Sequence, residues 1–285
     1  MRGMQGRTRQ GDVRDLASMP SVMALASSPV VSVTADSSIL DALNLMVNRG
    51  FRRLPVVEPG TGKLVGIITA TDIVAYLGRE RPGLPEAIRA PVSDIMTKDV
   101  VFTTTDAGVE EAVRTMVEHN VGGLPVLDRD GRLWAILTER DIVRSLAGRI
   151  AGRKVSELMT KEVIVAGPGE TLAEGVEKMT SRGFRRLPIV GPEGQLLGMV
   201  TVMDILRKIA SAVREGALKP GLFNEKLLDI AARELITVGP DDDVGRAAEL
   251  MWEKGVGGLP VMEPGTGKLV GIITERDFFK MLEVG

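Results

Sequence analysis

Two patterns in the sequence place chemistry-bearing side chains at fixed spacing. The first is a threonine followed three residues later by an aspartate: Thr69 and Asp72, Thr138 and Asp141, Thr201 and Asp204, Thr274 and Asp277. A carboxylate set between a strand end and a helix start can accept hydrogen bonds from both hydroxyls of a ribose. The same pair is also a helix-capping motif, and spacing alone does not separate the two roles. The second pattern is a set of arginines. Arg52-Arg53 and Arg185-Arg186 directly precede LPVV and LPIV, while Arg140 and Arg276 stand inside TERD. Guanidinium forks match phosphate oxygens. Adjacent strand residues face opposite ways, so at most one arginine of each doublet is expected in a given cleft.

Other chemistries are excluded by composition. The chain has 285 residues, no cysteine and one histidine, His119. Disulfides, thiol nucleophiles, cysteine-ligated zinc and multi-histidine metal sites are therefore ruled out within one chain. A histidine-dependent triad would have to run through His119. Two Trp, one Tyr and six Phe are too few for the stacking platforms that hold single-stranded nucleic acid. A net charge of −2 provides no basic footprint for DNA or an anionic membrane. The uncharged stretch Leu16 to Ala35 is interrupted by Pro20, Pro29 and several serines, so it does not read as a membrane span. The N-terminal arginines Arg2, Arg7, Arg9 and Arg14 precede no compact apolar segment of a secretion signal. A cytoplasmic, non-enzymatic protein without a metal or required cofactor is the expectation.

A fourfold repeat positions these residues. VSDIMTKDVV at Val92 to Val101 returns as VSELMTKEVI at Val155 to Ile164; GFRRLP, VGGLPV and EPGTGKLVGIIT each occur twice. Met46, Met116, Met179 and Met251 each lie nine residues before Pro55, Pro125, Pro188 and Pro260. Each threonine of the T-x-x-D pairs follows its proline by 13 or 14 residues. Each unit reads as strand, helix, strand, hairpin, strand, helix. In the first unit, Val30 to Val33 is predicted to be a short strand and Asp36 to cap a helix whose stripe is Leu40, Leu43, Met46 and Val47. Gly50, Asn120, Gly183 and Gly255 fit left-handed caps after these helices. The glycine-rich turns PGTGK, RDGR and PEGQ join two strands and lack phosphate-loop spacing, so they read as hairpins. The aligned methionines read as core filler.

His119 aligns with Arg49, Arg182 and Lys254, a repeated basic position. Such a charge complements a helix C-terminus or contacts a phosphate. Gly122-Gly123 and Gly257-Gly258 replace the arginine doublets in the even units, where they let a ligand or backbone come close. The odd and even likenesses point to a duplicated pair, in an α/β (α+β) fold. The expected organisation is an N-terminal extension at 1–28, a first module at 29–146 (repeats 29–77 and 92–146), a linker and start of the third repeat at 147–160, and a second module at 161–282 (repeats 155–209 and 227–282). The leftover pieces are short, the longest being the 28-residue N-terminus, against about 50 residues for a small domain. No catalytic domain is expected.

VSDIMTKDVV, VGGLPV with its glycine turn, and LTERDIV resemble the CBS domain family, named after cystathionine β-synthase, over about three quarters of the chain. The resemblance implies four β-α-β-β-α repeats in two pseudo-twofold tandem modules, often joined as a disc within one chain or in a homodimer. It implies an adenine nucleotide ligand (AMP, ADP or ATP) in clefts between paired repeats, the four aspartates and their threonines on the ribose side. Arg52, Arg53, Arg185, Arg186, Arg140, Arg276 and His119 fall on the phosphate side. It further implies a regulator that transmits occupancy to a protein partner. S-adenosylmethionine or a dinucleotide is the alternative ligand, ahead of nucleic acid or a purely structural role.

Overall fold

The computed structural model describes residues 21–80 and 83–281. The first repeat runs α1 (Ile39–Arg49), β1 (Arg53–Val57), β2 (Leu64–Thr69) and α2 (Ala70–Arg79); the second runs β3 (Thr103–Thr104), α3 (Val109–Glu118), β4 (Gly123–Leu127), β5 (Leu133–Thr138) and α4 (Glu139–Leu146). The third comprises α5 (Leu172–Arg182), β6 (Arg186–Val190), β7 (Leu196–Thr201) and α6 (Val202–Arg214). The fourth comprises α7 (Val244–Lys254), β8 (Gly258–Met262), β9 (Leu269–Thr274) and a 3-10 helix at Glu275–Met281, where a regular helix was expected.

Each repeat is centred on an antiparallel hairpin with the same register, Pro55 opposite Ile67 and Pro125 opposite Ile136 for example. The expected strand at Val30 to Val33 contracts to one parallel bridge between Val33 and Val56, repeated as Ala166 with Ile189 and Val238 with Val261. Only the second repeat, among the described residues, extends this bridge into a strand, β3. The helix caps explain the element boundaries. Ser38, not Asp36, caps α1, because Asp41 stands three residues on and completes a capping box. Asp36 has Ile39 at that spacing and instead bonds the Thr34 hydroxyl in the preceding turn. Gly50, Gly183 and Gly255 adopt φ of 70°, 70° and 65°, and Asn120 adopts 52°. All four are the left-handed residues anticipated from spacing. Met46, Met116, Met179 and Met251 are buried.

Segments leading into one repeat are built onto another. Thr97 pairs with Ile67 of β2, and Ser27 pairs with Ile136 of β5, so the first two repeats exchange their leading segments. Thr160 with Ile272 and Ala232 with Met199 repeat the exchange in the second pair. Residues 21–28, expected within an extension, therefore belong to the packed structure: Val22 is fully buried and its amide donates to the Ala107 carbonyl at 3.0 Å. Residues 1–20 of that extension lie outside the described residues. The hairpins also join within each pair, Lys63 to Arg132 and Gln195 to Lys268.

Helices make the connections between pairs. One apolar core gathers Ile39, Leu43, Ile73 and Leu77 of the first repeat with Val176, Ile205, Leu206 and Ile209 of the third. The other gathers Val113, Met116, Ile142 and Val143 of the second with Val244, Met251, Phe278 and Phe279 of the fourth. Arg144 adds a cation–π contact to Trp252, 4.2 Å from the ring centroid. Hairpins link 1 to 2 and 3 to 4, while helices link 1 to 3 and 2 to 4. The four repeats thus close a ring within one chain.

The exchange explains a repeated glycine. A Cβ at Gly66 would lie 2.6 Å from Met96 Sδ and 3.2 Å from the Thr97 carbonyl; at Gly271 it would lie 2.6 Å from Met159 Sδ and 3.1 Å from the Thr160 carbonyl. The IMTK and LMTK segments therefore need a bare strand beneath them. Valine has the higher strand propensity, yet Gly66→Val is expected to destabilise the protein by about 1–3 kcal/mol through overpacking. Thermal and urea denaturation check this; an unchanged or raised stability contradicts it.

Candidate ligand-binding site

In each T-x-x-D pair the aspartate carboxylate accepts from the threonine amide. Asp72 Oδ2 accepts from the Thr69 amide at 2.8 Å, and the Thr69 Oγ1 accepts from the Asp72 amide at 3.2 Å. Thr138, Thr201 and Thr274 amides donate to Asp141, Asp204 and Asp277 in the same way, each at 2.8 Å. The second carboxylate oxygen differs between the pairs of repeats. Asp204 Oδ1 accepts from Arg207 at 2.8 Å, and Asp277 Oδ1 accepts from Lys280 at 2.7 Å and from Thr160 at 3.2 Å. Asp72 and Asp141 Oδ1 accept no hydrogen bond from another described residue. Capping therefore leaves half of these two carboxylates open to a donor.

The hairpin register sets the arginines beside the caps. Arg53 faces Thr69 across β1 and β2, and Arg186 faces Thr201 across β6 and β7. Gly123 and Gly258 hold the corresponding places opposite Thr138 and Thr274. Strand alternation splits each doublet. Arg53 turns toward the second repeat and donates to the Gly122 carbonyl, whereas Arg52 reaches the fourth repeat and donates to Glu275 at 2.9 Å. Arg186 likewise donates to the Gly257 carbonyl, and Arg185 donates to Glu139 at 2.6 Å. Arg276 donates to the other oxygen of Glu139 at 2.5 Å and to Asn120 at 3.0 Å. Arg140 donates to Glu275 at 3.2 Å and to the Gly255 carbonyl at 3.0 Å. Six predicted arginines thus meet in one cluster.

The double glycines lie against arginines. A Cβ at Gly122 would lie 2.8 Å from Arg53 and 3.0 Å from Arg185, and one at Gly257 would lie 2.8 Å from both Arg186 and Arg52. These glycines make room for guanidinium groups of the odd repeats. His119 and its counterparts Arg49, Arg182 and Lys254 are exposed at the ends of their helices, where the charges of Arg49, Arg182 and Lys254 complement the terminal carbonyls.

The stretches 22–79, 92–148, 155–211 and 227–284 match the family model of the CBS domain. The chain belongs to the CBS domain family. Protein MJ1225 of Methanocaldococcus jannaschii is 35% identical over 275 residues, covering 91% of this chain and 98% of that protein. Its crystal structure, presented as that of a proposed archaeal homolog of g-AMPK, superposes with a TM-score of 0.84 over 91% of this chain and 99% of its own. A 33.4 kDa protein encoded in a ribosomal RNA operon of Thermofilum pendens is 32% identical over 89% of this chain and 88% of its own length. A conserved protein of Pyrococcus horikoshii is 25% identical, with a TM-score of 0.63 over 92% of this chain and 99% of its own. No helix among the described residues is long and apolar enough to cross a membrane.

Glu139 and Glu275, the acidic residues of TERD in the even CBS repeats, are the site residues that motif reading missed. Their side chains are 0% and 2% exposed, so each must be neutralised where it stands. The signal was present as a covariance between units: the repeats with GG carry TERD, and the repeats with RR do not. Burial pushes the Glu139 carboxyl up, but Arg185 and Arg276 outweigh this and hold it at about 2. Burial likewise opposes ionisation of Glu275, and Arg52, Arg140 and Arg186 lower it overall. Positive charge is in excess. Burial, followed by repulsion from Arg185 and Arg52, lowers Arg53 to about 9; burial and Arg185 lower Arg186 to about 10.

A depressed carboxyl contributes stability above its ordinary titration range and loses it as the pH falls through the folded value. For Glu139 this window runs from 4.5 down to about 2. Urea midpoints measured across that range are expected to fall steeply for the natural protein and less steeply for Glu139→Gln. Parallel profiles would show that the pairing does not stabilise the fold.

Proposed function

We propose that this CBS protein senses adenine nucleotides (AMP, ADP or ATP) by binding them reversibly between paired repeats and that it reports occupancy to a protein partner. The cross-strand adjacency of ribose-type carboxylates and phosphate-type guanidiniums carries this reading. Arg53 opposite Thr69 puts the two recognition chemistries one strand spacing apart, about 5 Å. The likeness to MJ1225, a proposed archaeal homolog of g-AMPK, points the same way.

Asp72 and Asp141 are assigned to ribose hydroxyls, because each has an oxygen to offer beyond its cap. Asp204 and Asp277 are the weaker pair, since a ligand there would have to displace Arg207 or Lys280. The arginine cluster takes the phosphates, with the exposed His119 as a further phosphate-side group two residues before Val121-Gly122. Burial raises both Asp72 and Asp141, which disfavours the bare carboxylate and favours one that accepts hydroxyl hydrogen bonds. Occupancy then alters how the modules pack, as a population shift that a partner can read.

Calorimetric titration with AMP, ADP and ATP tests the assignment, with S-adenosylmethionine as the competing ligand. Asp72→Ala and Asp141→Ala are expected to weaken nucleotide binding about tenfold or more, as loss of charged hydrogen bonds does. Arg52→Ala and Arg185→Ala should weaken AMP but leave adenosine unchanged. Binding of S-adenosylmethionine alone would favour the alternative, and no binding of any of these at millimolar concentration would refute the reading. Mass spectrometry of ligand released from protein purified without added nucleotide gives an independent answer.

A further inference from the structure

The ion pairs of the cluster share one property. Glu139, in the second repeat, holds Arg185 and Arg276 of the third and fourth; Glu275, in the fourth, holds Arg52 and Arg140 of the first and second. All four pairs cross from one tandem module to the other. The arginine side chains are partly exposed, at 19%, 36%, 29% and 31% for Arg52, Arg140, Arg185 and Arg276, while both glutamate side chains are buried. An arriving anion therefore meets arginine, and the nearest negative charge it must compete with is a glutamate.

We propose that Glu139 and Glu275 set the affinity of the cluster for phosphate, as resident anions that hold its arginines across the module boundary until a ligand phosphate draws them away. The proposal rests on the phosphate reading above. Two carboxylates facing six guanidiniums leave room for further negative charge, so an anion is attracted to the cluster as a whole. Burial lowers Arg53 and Arg186, and repulsion from Arg185 and Arg52 adds to it. Once a phosphate is seated, however, each glutamate becomes a like charge at short range in a low-dielectric site, and the two anions repel. Binding then weakens pairs that join the modules. The contacts that recognise phosphate and the contacts that fix the relative position of the modules are the same guanidiniums, which gives occupancy a direct route to inter-module packing.

The test compares the full-length natural protein with Glu139→Gln, Glu275→Gln and the double variant, using inorganic pyrophosphate, AMP and adenosine in calorimetry. The glutamine variants are expected to bind pyrophosphate and AMP about tenfold more tightly, with adenosine unchanged and with a lower melting temperature in the absence of anion. Variants that fold but bind pyrophosphate no more tightly, or more weakly, overturn the proposal, as does absence of pyrophosphate binding throughout. If the double variant does not fold in chloride, pyrophosphate at matched ionic strength must restore it; failure to do so also overturns the proposal. AMP failing to bind any of the proteins would refute the nucleotide reading instead, and the pyrophosphate titration would still decide the role of the glutamates.

Discussion

Two fully buried carboxylates must be neutralised, and much of the arrangement at the ring's centre follows from that requirement. Glu139 and Glu275 sit where water cannot reach them, so each needs cations within hydrogen-bond distance. Those cations come from elsewhere in the chain, 46 to 223 residues away for the pairs with Arg185 and Arg52. Such distant segments meet only if all four repeats are in place. The two apolar cores hold the repeats together through non-directional burial. The ion pairs add direction, since a guanidinium fork bonds a carboxylate well in few orientations.

The glycine doublets belong to the same solution. A guanidinium lying against a strand needs a surface without a side chain, which Gly122, Gly123, Gly257 and Gly258 supply. Arg53 and Arg186 then satisfy the Gly122 and Gly257 carbonyls, while the amides of Glu139 and Glu275 donate to those same carbonyls, each at 3.2 Å. Carbonyl, carboxylate and guanidinium therefore form one connected network in which each group limits the orientation of the next. The hairpin register carries this network to the T-x-x-D caps, which sets Arg53 opposite Thr69 and Arg186 opposite Thr201.

Local features of this arrangement were legible from the residues, and partnerships across the chain were not. The left-handed caps at Gly50, Asn120, Gly183 and Gly255 depend on backbone sterics a few residues long, and the buried methionines follow from helical period. The cap of α1 was misplaced by two residues because Asp36 and Ser38 are both good caps; the reciprocal Asp41 decides between them. The strand at Val30 to Val33 shrank to a bridge, since apolar runs signal burial but not how many ladder bonds form. The arginines were identifiable as a group by their chemistry. Their partners were hidden because a glutamate beside a helix start reads as an ordinary first-turn acid. Nothing local distinguishes Glu139 from the surface glutamates Glu110 and Glu111.

Charge accounting also explains why two modules occur in one chain. The first module taken alone contains Arg52, Arg53, Arg140 and Glu139, but Glu139 makes its ion pairs with Arg185 and Arg276 of the second. Glu275 depends in the same way on Arg52 and Arg140 of the first. Each module buries an acid whose ion pairs are all made with the other. The relation is self-complementary about a pseudo-twofold axis, the geometry by which two identical subunits would satisfy each other. Placing both modules on one chain makes that association intramolecular and independent of protein concentration. It also frees the two halves to diverge, and they have done so at the T-x-x-D aspartates. Asp204 and Asp277 bind cations of their own, whereas the Oδ1 atoms of Asp72 and Asp141 accept from no other described residue.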